Sequence, residues 1–181
     1  MDLIKIAVSF GELLFTIALA IGVVYMTLRA LIKTNTDFDE DKELLRGNVA
    51  VGVLIAALLL ASANIMHQAF RPVAETIHLY LTSPLVEKAG QWKLVLHASG
   101  NLVLAFIIVV FTMSFSLRVI GRLMRTKDTR PGKELEKGNV AMGVVLSGVV
   151  IIVSLFVGEG VKALSKALIP KPNVGRMQIM R

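Results

Sequence analysis

The chain has 181 residues, 55% of them hydrophobic, a formal net charge of +7 and no cysteine. Its mean hydropathy of +0.70 is that of a membrane protein, not of one or two soluble domains. Without cysteine there are no disulfides, thiolate metal sites or cysteine nucleophiles. Basic residues at the ends of apolar spans serve topology and anionic lipid, so the positive charge does not imply a nucleic acid partner.

A helix rises about 1.5 Å per residue, so crossing roughly 30 Å of hydrocarbon takes about 20 residues. Leu13 to Leu28, Val49 to Met66, Leu94 to Phe115 and Val140 to Val157 are apolar runs that reach this length with their flanks. The expected fold class is an all-α membrane protein with four transmembrane helices, at about 6–28, 48–69, 94–117 and 139–158. The first run has no small-residue cleavage site, and Arg29 to Lys33 follows it as a stop-transfer flank. It is therefore expected to be a retained span, not a signal peptide.

Glu12 lies about two turns inside the first helix, with Ser9, Thr16 and Ala20 on its face. An ionised carboxylate in a span costs a few kcal/mol, about 2.5–3.5 at the centre on insertion scales. The loop that follows carries Asp37, Asp39, Glu40, Asp41 and Glu43. It lacks the glycine turn and closing bidentate Glu of a calcium loop, so it reads as solvated, with no metal.

Lys42 to Val53 reads KELLRGNVAVGV and Lys133 to Val144 reads KELEKGNVAMGV, with nine of twelve positions identical. Each copy ends a charged loop and opens an apolar run. Asn48 and Asn139 suit the cap position of a helix. Gly47, Ala50 and Gly52, and correspondingly Gly138, Ala141 and Gly143, complete the repeated motif, read as a cap followed by a packing stripe. Asn48, Gly52, Ala56, Ala63 and His67 on one arc, and Asn139, Gly143, Ser147, Ser154 and Gly158 on the other, place small residues where helix backbones approach closely in lipid. An ion- or ligand-binding helix start is the alternative. Ala7, Leu13, Phe15 and Ile17 match Ala98, Leu104, Phe106 and Ile108 at the same spacing. The chain therefore reads as a tandem duplication, with repeat 1 over 1–70 and repeat 2 over 94–168.

The second helix finishes in Asn64, His67 and Gln68, and Arg71-Pro72 is expected to break it. The linker 71–93 then reads as a short interfacial helix, with Val73, Ile77, Tyr80 and Leu81 on one side, closed by Ser83-Pro84 and a Trp92-Lys93 belt. The third helix carries His97, Asn101, Ala105, Thr112 and Ser116 on one stripe, and Glu159 follows the fourth. The stretch 169–181 reads as a basic tail. Two copies of a two-helix unit share one orientation. The Gly-Asn loops fall on one side and both termini on the other. The loop from Arg118 to Lys137 holds seven basic residues, which points the Gly-Asn loops to the cytoplasm and the termini outward.

The doubled Gly47-Asn48-Val49-Ala50 and Gly138-Asn139-Val140-Ala141 elements, with Ala61-Ser62-Ala63, resemble the YjfL-type bacterial inner-membrane proteins. These are built from tandem two-helix modules of a domain of unknown function (number 350). The resemblance covers nearly the whole chain and implies a multi-pass protein of the bacterial inner membrane. It also implies an association with envelope-stress and polyamine-related gene neighbourhoods. It brings no activity, ligand or catalytic residue.

No motif points to catalysis, so the expected function is a non-enzymatic interaction or accessory subunit without cofactor. Its partners are the bilayer, anionic lipid at the basic loops, and a protein partner or further copies of the chain. The alternative is a small ion, proton or solute channel or transporter built on Glu12, His67, His97, Asn101 and Glu159, with Glu12 paired to His67, His97 or Asn101. His67 and His97 lack any flanking motif for haem or metal.

Overall fold

The computed structural model describes residues 3–32, 39–82, 91–123 and 130–169. Asp37, the Ser83-Pro84 stop, the side chains of the Trp92-Lys93 belt and the tail after Ile169 lie outside the described residues. Helix α1 covers Leu3–Met26 and continues as a π-helix over Thr27–Ile32. It is followed by α2 (Glu40–Leu45), α3 (Val49–Thr82), α4 (Gln91–Leu123), α5 (Pro131–Glu136) and α6 (Val140–Leu168). No strand occurs among the described residues. The segments Ile6–Arg29, Val49–Tyr80, Val95–Leu123 and Val140–Leu168 are each long and apolar enough to cross a membrane.

Helix α3 is the hub, packed against α6, α4 and α1. It is the most buried of the four spans and α1 is the least. Leu58 and Ile65 of α3, Met113 and Val109 of α4 and Val150 of α6 are sealed in one core. Moving such side chains out of lipid brings no hydrophobic gain, because acyl chains are as apolar as leucine. Close packing and interhelical hydrogen bonds hold the helices instead. The buried stripe of α6 is made accordingly: Gly143, Ser147, Val150, Ser154, Gly158 and Ser165, spaced by multiples of about one turn.

The α3–α6 seam also fixes direction. Gly143 lies against Ala50, and Gly158 lies against Asn64 and Gln68. Both helices therefore run the same way, and their Gly-Asn starts stand on the same side of the bundle. Asn64 Nδ2 donates to the Ser154 carbonyl at 3.0 Å, tying a polar side chain to a backbone acceptor within the span.

One expectation is corrected here. No break occurs at Arg71-Pro72, and 72–82 is not a separate interfacial helix, because α3 runs unbroken for 34 residues through Pro72. Proline removes one N–H and crowds the carbonyl four residues back, a cost of about 3 kcal/mol in a helix interior. Packing on both sides of it overrides that local preference. Val73 is 1% exposed and joins Ala98 of α4 and Ile169 in a second cluster, with Ile77 and Tyr80 against it. Thr76 Oγ1 donates to the Pro72 carbonyl at 2.9 Å. Continuing the helix also keeps the later backbone groups paired.

Candidate functional site

The element that occurs twice in the sequence takes the same local shape twice. Asp39 caps α2, its side chain accepting from Lys42 N at 3.2 Å. Pro131 opens α5, where its missing N–H would have had no helical partner. Each short helix ends on a glycine in the left-handed region, Gly47 at φ +77° and Gly138 at φ +80°, a conformation that strains any residue with a Cβ. Gly47 N donates to Leu44 O at 2.9 Å and Asn48 N to Glu43 O at 3.0 Å. In the second copy Gly138 N donates to Leu135 O and Asn139 N to Glu134 O, both at 2.9 Å.

Each asparagine then opens the following long helix. Asn48 Oδ1 accepts from Val51 N at 3.3 Å, and Asn139 Oδ1 accepts from Met142 N at 3.2 Å. The amide nitrogen turns back to a carboxylate, Asn48 Nδ2 to Glu43 Oε2 at 3.0 Å and Asn139 Nδ2 to Glu134 Oε2 at 3.2 Å. A cation three residues on takes the other oxygen: Arg46 Nη1 on Glu43 and Lys137 Nζ on Glu134, each at 2.8 Å. The Asn48 amide, and after it Arg46, hold the Glu43 carboxyl below its usual 4.5, against the upward push of burial. Lys137 and then Asn139 do the same for Glu134. These carboxylates stay ionised and lock the turns.

What lies across from the two turns differs. Asn48 Nδ2 also reaches the last carbonyls of α5, Leu135 O at 2.8 Å and Glu136 O at 3.3 Å, so one side chain joins both loops. Asn139 is exposed and its bonds stay within its own turn. A Cβ on Gly143 would lie 2.6 Å from Ala50 O, whereas one on Gly52 would meet nothing nearer than Leu44 Cδ2 at 3.8 Å. Leu135 is 3% exposed and its counterpart Leu44 is 41% exposed. Ala50 is buried and Ala141 is on the surface. Of the two expected packing stripes only that of Gly143, Ser147, Ser154 and Gly158 is buried, whereas Ala56, Ala63 and His67 face outward because α3 meets α6 on the face of Ala50 and Asn64.

The polar residues of the spans are distributed otherwise than expected. Glu12 Oε1 pairs with His78 Nδ1 at 3.0 Å, a residue on the continuation of α3 and outside the expected set. Asn101 is buried and donates from Nδ2 to the Ala69 carbonyl at 3.3 Å. His67 and His97 are exposed. Glu159 is exposed and meets Lys162 Nζ at 3.4 Å. Among the described residues no three His, Asp or Glu converge as a metal site would require. A groove of about 510 Å³ runs along α4 past Phe111, Phe115 and Arg118, and every residue lining it belongs to that one helix. The sequence reading missed Glu43 and Glu134 as turn-locking residues and His78 as the partner of Glu12. The first two had a signal: the same glutamate stands five positions before the asparagine in both copies.

A family model described as Domain of Unknown Function (DUF350) matches residues 5–161. The chain belongs to the DUF350 family. Both Gly-Asn turns and most of all four spans fall inside the matched stretch. Comparison with curated proteins and with solved structures finds no match. The chain is thus a helical, membrane-type DUF350 protein.

Proposed function

We propose that this DUF350 chain is a non-enzymatic accessory subunit of the bacterial inner membrane that docks a protein partner on the side carrying the Gly-Asn turns. One observation carries the reading: the Asn48 side chain links the two charged turns into a single ordered surface. Loop surfaces ordinarily lose affinity to the entropy of ordering, a cost that the hydrogen bonds holding 39–48 to 130–139 reduce. It presents Lys42, Arg46, Lys133 and Lys137 from matching positions of the two turns, Arg46 and Lys137 being paired to Glu43 and Glu134, beside exposed Asp39, Asp41 and Glu136. This is a mixed-charge surface suited to a protein partner of complementary pattern.

The shared turn geometry and the nine identical positions of twelve support origin by duplication of a two-helix unit. The basic Arg118 to Lys137 loop supports a cytoplasmic location for this side, with both termini outside. The resemblance to YjfL-type proteins supports a role in envelope stress. A photo-crosslinking residue placed at Lys42 or Lys133 in cells should yield a defined adduct with a second protein. That adduct should be lost in the Arg46→Ala, Lys137→Ala variant. Adducts to lipid alone at both positions would refute a protein-docking role.

A further inference from the structure

The seam between the two halves of the chain joins unlike faces. The first half contributes Asn48, Ala50, Asn64 and Gln68. The second contributes Leu135, Gly143, Ser154 and Gly158. The sequence repeat, 42–53 onto 133–144, relates any position of the first half to one in the second. Carried across it, the first set becomes Asn139, Ala141, Leu155 and Glu159, and the second becomes Leu44, Gly52, Ala63 and His67. At about 100° per residue, the two faces lie roughly a third of a turn apart on the helix. A two-fold contact would use one face on both halves, and this contact uses two.

Each half thus keeps the face that the other has spent. Asn139, Ala141, Leu155 and Glu159 are all exposed. Leu44, Ala63 and His67 are exposed too, and Gly52 is half-buried with room above it. We infer that a second copy of this chain docks there, the second half of one copy seating on the first half of the next in the geometry already present within each chain. Asn139 of one copy donates to the Leu44 carbonyl of the next, as Asn48 does to Leu135. Ala141 crosses at Gly52, as Ala50 does at Gly143.

The same translation sets Glu159 against His67, in the place where Gln68 meets Gly158. An acid and an imidazole, each expensive to leave facing hydrocarbon, become partners. The sparsely covered α1 of the next copy comes beside α6, as α4 lies beside α3 within the chain. Such a contact is heterologous, so it propagates into a closed ring or an open row and does not stop at a dimer. The inference builds on the interaction reading above, but its surface lies along the spans and not on the charged loops. Loss of loop adducts and loss of copy-to-copy contact are therefore separate results.

The absence of native cysteine makes the test clean. Ala63→Cys and Leu155→Cys stand at the translated positions of Ser154 and Asn64, and both sites are exposed, so neither change disturbs the core. In native membranes treated with a short bifunctional thiol reagent, the double variant should form a ladder at multiples of 19.7 kDa. Each single variant alone should stay at one chain, and the two coexpressed should stop at two. Asn64→Cys with Ser154→Cys should close within one chain and report that the seam is formed. Ala141→Trp added to the first pair should reduce the ladder at least fivefold, and added to the second pair should leave the internal cross-link unchanged. A closed internal cross-link without a ladder overturns the inference. So does cross-linking of either single variant to itself, which would mean a two-fold contact.

Discussion

Replacing Gly143 by alanine puts a methyl carbon 2.6 Å from Ala50 O, 3.0 Å from Ala50 Cα and 3.1 Å from its carbonyl carbon. All three atoms are backbone, so no side chain can swing aside and the helices themselves must part. Reaching the 3.4 Å of ordinary contact takes about 0.8 Å of separation. Overpacking of this kind costs about 1–3 kcal/mol. The same movement would stretch the 2.8 Å bond from Asn48 to Leu135 O to about 3.6 Å, past hydrogen-bond range, for about 1 kcal/mol more. Alanine's better helix propensity returns about 0.5–1 kcal/mol. The expected net loss is about 1–3 kcal/mol. Within one chain Gly52→Ala meets nothing nearer than 3.8 Å, and in protein dispersed to single chains it should keep only the propensity gain of about 0.5–1 kcal/mol. The assay is the midpoint of unfolding in mixed detergent–SDS micelles for both variants beside the parent. Equal shifts for the two, or a Gly143→Ala variant as stable as the parent, would refute the close crossing.

Three further outcomes can be checked on the same preparations. Asn48→Ala should cost about 2–3 kcal/mol, since it removes a cap and uncovers the Leu135 carbonyl and the Glu43 carboxylate, whereas Asn139→Ala should cost about 1 kcal/mol; similar melts would show that the cross-loop bond contributes nothing. Glu43 and Glu134 titrate below their usual 4.5 when folded, so their stabilisation is complete above that value and is lost as pH falls through the lowered ones. Melting temperature should thus decline in acid below about 4.5, and Glu43→Gln should flatten that decline. His78→Ala should cost no more than about 1 kcal/mol, because its pair with Glu12 is partly exposed, yet it should raise thiol labelling of an Ala7→Cys reporter on α1; unchanged labelling would show that the pair does not hold that end of α1.

The four spans and the asparagine caps were legible because their causes are local, while the short helices α2 and α5 that end at Gly47 and Gly138 read from sequence only as charged loop. Apolar length sets a span, and Gly-Asn after a charged helix end sets a left-handed stop and a cap. The difference between the copies was not legible, because Asn48 and Asn139, or Gly52 and Gly143, are the same residues in nearly the same words. Only packing decides that one glycine is pinned against Ala50 and the other stands open. Arg71-Pro72 misled for the opposite reason. Proline is a strong local signal, and it yielded to the burial of Val73 against α4 and Ile169. His78 was hidden for the same reason, since a separate surface helix would hold it away from Glu12, 66 positions earlier.

The length of α3 has a mechanical result. Its 34 residues measure about 51 Å at 1.5 Å each, against about 30 Å of hydrocarbon. A typical tilt near 20° shortens that projection only to about 48 Å. Roughly a dozen residues must therefore stand in headgroups or water. The surplus cannot lie at Val49, which abuts the charged turn, so it falls at the end bearing His78. The crossings with α6 at Ala50 and Asn64 are about 21 Å apart and fit within the acyl layer. Helix α3 is thus a mast stepped between those two crossings, longer than the acyl layer it has to cross, with Glu12 of α1 stayed to its far end at His78. A thicker membrane would draw more of the mast into lipid before it strained the footing.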